Sequence, residues 1–201
     1  MKQKTMAGLM GISLVVALAV RCSQPSEQAS PTTATSEQQL FGGVYATELA
    51  WGDHLVRVGG CGDCHTPKKM TDKGPVQDSS LLLSGHPAQM PAPPVDQKEL
   101  AAKGVAATQT LTAWVGPWGT SYAANISSDS TGIGNWKYEQ FEKAIREGKY
   151  HGLDGSRPIM PPMPLEALMH YTDDELKAIF AYLKSTPPTK NVVPAYQPPA
   201  Q

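Results

Sequence analysis

Two segments of the chain carry apolar residues at the spacing of an amphipathic helix. In residues 136–147 these positions are Tyr138, Phe141 and Ile145, and in residues 172–186 they are Leu176, Ile179, Phe180 and Leu183. Gly148 is a stop signal after the first segment, and Pro187 ends the second. The second also opens on the capping-box sequence TDDE. We therefore predict two helices, and residues 47–58 supply a third, earlier in the chain.

The long stretch from residue 66 to residue 135 shows no comparable helical period. It contains seven prolines, which predicts loops for much of its length. Within it, residues 108–115 and 121–125 flank the sequence GPWG, a pattern that predicts a short hairpin. The fold class expected from the whole pattern is all-α (mainly helical), with a long loop or hairpin insertion.

The first residues have the pattern of an export signal. Lys2 and Lys4 precede an uncharged apolar run over residues 6–20, so residues 1–21 are predicted to be a signal peptide. Three outcomes remain open at its end. These are lipidation of Cys22, ordinary cleavage after the small residues of the sequence ALA (residues 17–19), and an uncleaved anchor.

Composition separates the folded part from its flanks. Residues 22–40 are rich in Ser, Thr, Gln and Pro and predict a disordered tether, whereas residues 188–201 predict an extended, poorly ordered Pro-rich tail. A single domain over residues 41–187 remains between them. The net charge of −1 gives no reason to expect nucleic-acid binding. Three cysteines are too few for a disulfide scaffold.

The strongest chemical signal is the sequence CGDCH at residues 61–65. On a helix, Cys61, Cys64 and His65 share one face, so two thiols can attach covalently to a haem while the imidazole reaches the iron. A structural zinc site would need a second pair of ligands, and the chain has no second cysteine pair. A thioredoxin-like redox pair would lie near a βαβ pattern, which the sequence does not show. A structural disulfide between Cys61 and Cys64 would close an unusually tight loop. The motif therefore predicts one covalent haem c.

A sixth iron ligand is expected from the sequence IMPPMP at residues 159–164, which we call the strap. Its prolines fix the backbone, so a methionine thioether can be held against iron at little entropic cost. This reasoning does not choose between Met160 and Met163. Bis-histidine ligation is a further alternative, and the histidines that could supply it are His54, His86, His151 and His170.

Together these features resemble a class I c-type cytochrome, and in particular the monohaem cytochrome domains that partner periplasmic dehydrogenases. The similar segments are residues 116–119 (GPWG), 124–126 (ANI), 132–136 (GIGNW), 162–164 (PMP) and 172–176 (TDDEL). The resemblance implies a class I cytochrome c fold. It also implies that the axial methionine lies nine residues before the threonine that opens the last helix. Counting back from Thr172 gives Met163.

The function expected is an exported monohaem carrier of single electrons between redox partners, a dehydrogenase or an oxidase. His65 and Met163 would fill both axial positions of the iron, so the protein is predicted to be a carrier and not an enzyme. We expect it on the periplasmic or outer cell-surface side, with membrane association through Cys22 or an anchor. Two alternatives remain, a haem subunit of a periplasmic dehydrogenase complex and an open-site peroxidase or gas sensor.

Overall fold

The helix before the cysteine motif starts and ends where the local sequence requires it. The computed structural model describes residues 40–101 and 104–199. Helix α1 (Glu48–Val58) begins after Thr47, whose hydroxyl accepts a hydrogen bond from the Ala50 amide at 3.1 Å. Gly60 then takes the left-handed backbone conformation, with φ of 67°, and α2 (Cys61–His65) follows directly. The prediction of a helix leading into the cysteine motif is confirmed.

Short elements make up the rest of the described chain. The further helices are α3 (Gln97–Ala101), α4 (Tyr138–Glu147), α5 (Leu165–Leu168) and α6 (Asp173–Ser185), with 3₁₀ turns at Ser79–Leu81 and Tyr150–Gly152. The strands are β1 (Lys68–Thr71), β2 (Gly74–Gln77), β3 (Ala106–Ala107), β4 (Ala113–Gly116) and β5 (Gly119–Tyr122). The two helices predicted from apolar periodicity correspond to α4 and α6. The capping box at Thr172 and Glu175 is present as predicted.

The prediction of an all-α fold is wrong. Helices hold 34% of the described residues, and 15% lie in strands or isolated β-bridges, with the strands in two small antiparallel sheets, so the fold is mixed α and β. The hairpin of β1 and β2 was not predicted. Its strands are almost wholly exposed, with Met70 at 63% exposure, so no alternation of apolar and polar residues marks them. The turn at its tip instead relies on Gly74, whose φ of 101° suits glycine.

The second sheet contains the hairpin that was predicted around GPWG. Strands β4 and β5 pair antiparallel with Gly116 opposite Gly119, and β3 adds to the other side of β4. Both strands are shorter than the predicted segments. Their residues are mostly buried, and the sequence GPWG between them is the signal on which the prediction rested.

The core forms where the first and last long helices cross. Gly52 of α1 lies so close to α6 that a Cβ atom there would be 2.0 Å from the carbonyl oxygen of Ala178. Apolar side chains from both helices, from α4 and from the loops between them surround this crossing. They include Leu55, Val56, Leu83, Ile133, Phe141, Leu176, Ile179 and Leu183. This core fixes the end of α1 and therefore the start of α2.

The described part of the C-terminal tail contains no helix, and it is attached to the body of the protein. The Asn191 side chain donates hydrogen bonds to the carbonyls of Ser84 and His86, at 2.7 and 2.8 Å. Farther along, the backbones of Gln197 and Thr120 exchange two hydrogen bonds. Polar groups of the tail thus supply attachment points that a proline count does not reveal.

Several predictions concern parts of the chain outside the described residues. They are the signal peptide at residues 1–21, nearly all of the tether at residues 22–40, and lipidation of Cys22. Among the residues that the structure describes, no helix has both the length and the apolar character needed to cross a bilayer.

Candidate functional site

The two cysteines of the motif lie on a single short helical turn. Gly60, in the left-handed conformation, directly precedes α2, and its carbonyl accepts a hydrogen bond from the Asp63 amide at 2.9 Å. The Thr66 amide closes the turn on the Gly62 carbonyl at 3.1 Å. Cys61 and Cys64 are both half-buried, and neither forms a disulfide. The alternative of a structural disulfide between them is therefore not seen.

The surroundings of the two thiols raise their pKa and do not lower it. Burial raises the pKa of Cys61 to about 11, and burial also raises the pKa of Cys64. Thioredoxin-like cysteines instead need a depressed thiol pKa. Within residues 40–101 and 104–199, no group of three or more His, Cys, Asp or Glu side chains could hold a metal ion, so the zinc alternative gains no support there.

His65 is buried, at 7% exposure, and its ring is held in one orientation. Its Nδ1 lies 2.7 Å from the backbone oxygen of Ala124. A carbonyl oxygen can only accept a hydrogen bond, so Nδ1 must carry the proton, and the lone pair of Nε2 is left for a ligand. Burial lowers the pKa of His65, which favours the neutral imidazole that binds metals. His65 therefore has the tautomer and protonation state that an axial ligand needs.

The strap joins α5 to the segment after the Tyr150–Gly152 turn. Its amide at Ile159 donates to the Gly148 carbonyl at 2.8 Å, and the Met163 amide donates to the Met160 carbonyl at 3.4 Å. Both methionine side chains are half-buried, so burial does not choose between them. An open cavity of about 460 Å³ adjoins Met163, but residues 161–167 alone line it, and no residue of α2 does.

One segment connects the histidine to the strap. Ala124 accepts the hydrogen bond from His65, and three residues earlier Ser121 donates to the Pro161 carbonyl at 2.6 Å. Three residues of extended chain span at most about 11 Å. The structure therefore attaches both sides of the predicted haem site to the end of β5. The choice of Met163 as the ligand stays a prediction.

The competing histidines are less suited to bind iron. Both ring nitrogens of buried His86 are engaged, Nδ1 with the Thr112 hydroxyl at 2.9 Å and Nε2 with the Met90 carbonyl at 2.8 Å. The other three are exposed, and two of these contact aromatic rings: His54 lies against Tyr45, and His151 stacks on Tyr150. Among the described residues, no contact both orients one of these four rings and leaves its other nitrogen for a ligand, as the Ala124 carbonyl does for His65.

Two contributors to the site were not predicted as site residues. They are the carbonyl of Ala124 and the hydroxyl of Ser121, and they act on residues 59 and 40 positions away in the chain. The only signal for them in the sequence is the predicted hairpin, which brings its second strand back into the fold. A backbone carbonyl has no signature in the side-chain sequence, so its role becomes visible only in three dimensions.

Comparison with known proteins points to one class of electron-transfer protein. No family model matches the chain. It is 40% identical over 82 residues to a subunit of the nicotinate dehydrogenase of Pseudomonas putida, a match covering 40% of this chain and 7% of that protein. It is 41% identical over 70 residues to the fructose dehydrogenase cytochrome subunit of Gluconobacter japonicus, covering 33% and 13%.

A third relative is the gluconate 2-dehydrogenase cytochrome c subunit of Pantoea cypripedii. The identity is 39% over 67 residues, covering 33% of this chain and 14% of that protein. The matched region thus spans 7 to 14% of the length of these three relatives. Two of them are named as cytochrome subunits of dehydrogenases, which supports a cytochrome c domain in this chain.

Proposed function

We propose that the chain is a monohaem c-type cytochrome that transfers single electrons as the haem-carrying partner of a dehydrogenase. The observation that carries the proposal is the CGDCH sequence on α2 together with the hydrogen bond between His65 and Ala124. The motif supplies two thiols and an imidazole in one turn, and the hydrogen bond leaves the correct ring nitrogen for iron.

The residues present fit a covalently attached haem. Cys61 and Cys64 are unpaired thiols that would hold the porphyrin, His65 would be the proximal ligand, and Met163 the distal ligand. When bound, haem supplies a reversible one-electron change between ferric and ferrous iron. The Ala124 carbonyl keeps the His65 ring oriented, and the proline-rich strap holds a thioether without a long conformational search.

With both axial positions filled by protein, we propose that the chain carries electrons and performs no catalysis of its own. The similarity to cytochrome subunits of fructose and gluconate dehydrogenases supports a dehydrogenase as the electron donor. It favours the role of a haem subunit over that of a general carrier between unrelated partners. The predicted signal peptide and Cys22 place the protein, in this proposal, on the outer side of the cytoplasmic membrane.

Carbon monoxide binding to the reduced, haem-loaded protein tests the ligand assignment. The native protein should not bind carbon monoxide readily, because Met163 occupies the sixth position. Met163→Ala should bind it promptly, whereas the matched variant Met160→Ala should behave as the native protein does. Prompt binding by the native protein would instead favour an open-site haem protein, such as a peroxidase or a gas sensor.

The dehydrogenase partner is tested by electron transfer. The oxidised cytochrome should be reduced by a membrane fraction of its own source when a sugar or acid substrate of a dehydrogenase is added, and not without substrate. Absorption of the reduced haem reports the reaction. Failure with a panel of sugar, polyol, alcohol and aldonate substrates would contradict the role as a dehydrogenase partner, while the ligand assignment would stand.

A further inference from the structure

We propose that Ser121 is a positioning residue for the strap methionine that binds iron. The proposal deepens the function proposed above and rests on it, because it assumes that the strap supplies the distal ligand. In this proposal, Ser121 of β5 holds in place the turn that carries both Met160 and Met163. Neither the cysteine motif nor the resemblance to cytochromes c indicates this role.

The geometry of the Ser121 hydroxyl leaves it little choice of partner. Its side chain is buried, with the residue at 6% exposure, and its oxygen lies 2.6 Å from the Pro161 carbonyl oxygen. The indole N–H of Trp118 donates to the same hydroxyl oxygen at 3.1 Å. A serine hydroxyl has one proton, and indole is only a donor. The Trp118 contact therefore directs the Ser121 proton to Pro161.

The strap needs an attachment of this kind because prolines have removed half of its backbone N–H donors. Between residues 160 and 164, only Met160 and Met163 have backbone N–H groups, and the Met163 amide donates to the Met160 carbonyl within the same turn. The strap's centre, Pro161 and Pro162, has no backbone N–H group to donate to a neighbouring strand. It can be fastened to the body of the protein only through its carbonyls, and Ser121 supplies a donor to one of them.

Ser121 itself is braced on both sides. In β5 it lies opposite Trp114 of β4, and its neighbour Thr120 exchanges two backbone hydrogen bonds with Gln197, at 2.8 and 3.0 Å. The hydroxyl of Tyr196 donates to the Trp118 carbonyl at 2.6 Å. The tail thus covers the free edge of β5. The Ser121 hydroxyl is therefore a buried donor on a strand that is held by β4 on one side and by the tail on the other. Such a donor can fix the position of the exposed Pro161 carbonyl to which it bonds.

The test is carbon monoxide binding to the reduced, haem-loaded Ser121→Ala variant. Loss of a buried hydrogen bond of this kind should raise the population with the methionine detached, and hence the apparent carbon monoxide affinity, by about tenfold. The weak far-red absorption of ferric iron bound to a thioether should fall in parallel. Ser121→Thr keeps the hydroxyl and should restore both signals.

Ser127→Ala is the matched control. Ser127 is also a buried serine, and its hydroxyl donates to the Asn125 side chain at 2.8 Å, away from the strap. This variant should lose thermal stability without gaining carbon monoxide affinity. If Ser121→Ala and Ser127→Ala have the same affinity as the native protein, the role of Ser121 is refuted.

A second variant keeps the proposal testable if Ser121→Ala does not fold. Trp118→Phe removes the indole donor that orients the hydroxyl and should raise carbon monoxide affinity by a smaller factor, about threefold. Native affinity in that variant would overturn the proposal. Met163→Ala and Met160→Ala separate the two levels of failure. If neither variant binds carbon monoxide better than the native protein, methionine ligation itself fails. If one of them binds better and Ser121→Ala does not, only the Ser121 inference fails.

Discussion

Replacing Gly52 with alanine should destabilise the protein through the crossing of α1 and α6. The added Cβ would lie 2.0 Å from the Ala178 carbonyl oxygen and 2.7 Å from the Tyr182 Cβ, so the backbones must separate. Overpacking of this severity costs about 3 kcal/mol, the upper part of the usual range. The higher helix propensity of alanine offsets part of this cost, because alanine stabilises a helix interior by about 1 kcal/mol relative to glycine. We therefore expect a net loss of about 2 kcal/mol.

The assay is thermal or urea unfolding of the haem-loaded protein, followed by circular dichroism. A loss of about 2 kcal/mol corresponds to a fall in Tm of about 4–8 °C for a domain of this size. Val58→Ala is the control, because Val58 is on the same helix at 65% exposure and its truncation should change stability by less than about 0.5 kcal/mol. Unchanged or higher stability of Gly52→Ala would refute the close crossing and, with it, the account of how α2 is positioned.

Two further predictions concern the tail and the α1–α6 interface. Asn191→Ala removes side-chain hydrogen bonds to three backbone groups. We expect the free energy of unfolding in urea to fall by about 2–3 kcal/mol and proteases to remove the tail faster. A tail as resistant to proteolysis as that of the native protein would contradict its attachment. Burial and the Asp53 carboxylate raise the pKa of Tyr182 to about 12, above the ordinary value of about 10. Because the folded state holds this proton more tightly, the free energy of unfolding should fall as pH rises from about 10 to 12. Tyr182→Phe should make this fall with pH less steep. An equally steep fall in the variant would contradict the role of Tyr182.

The parts predicted correctly from the sequence are those that depend on local patterns. The helical turn at Cys61 and His65 follows from ligand spacing, and α6 follows from its capping box and apolar period. The hairpin around GPWG follows from the turn sequence between its two strands. The β1–β2 hairpin was missed because exposed strands need no apolar alternation, and that omission led to the wrong fold class.

The contacts that could not be predicted join residues far apart in the chain. The hydrogen bond from His65 to the Ala124 carbonyl involves a backbone atom, which no residue type announces. The attachment of Asn191 to the Ser84 and His86 carbonyls likewise depends on how the chain returns across the fold. Composition suggested a loose tail because prolines do not form helices, but an extended chain can still be held by its polar side chains.

The central claim is tested most directly by the mass of the denatured protein. The chain should be produced in a host that attaches haem to c-type cytochromes, purified, and analysed by mass spectrometry under denaturing conditions. We predict the polypeptide plus one haem, with both thiols of Cys61 and Cys64 unavailable to alkylation. A mass without haem, together with two alkylated thiols, would contradict the account.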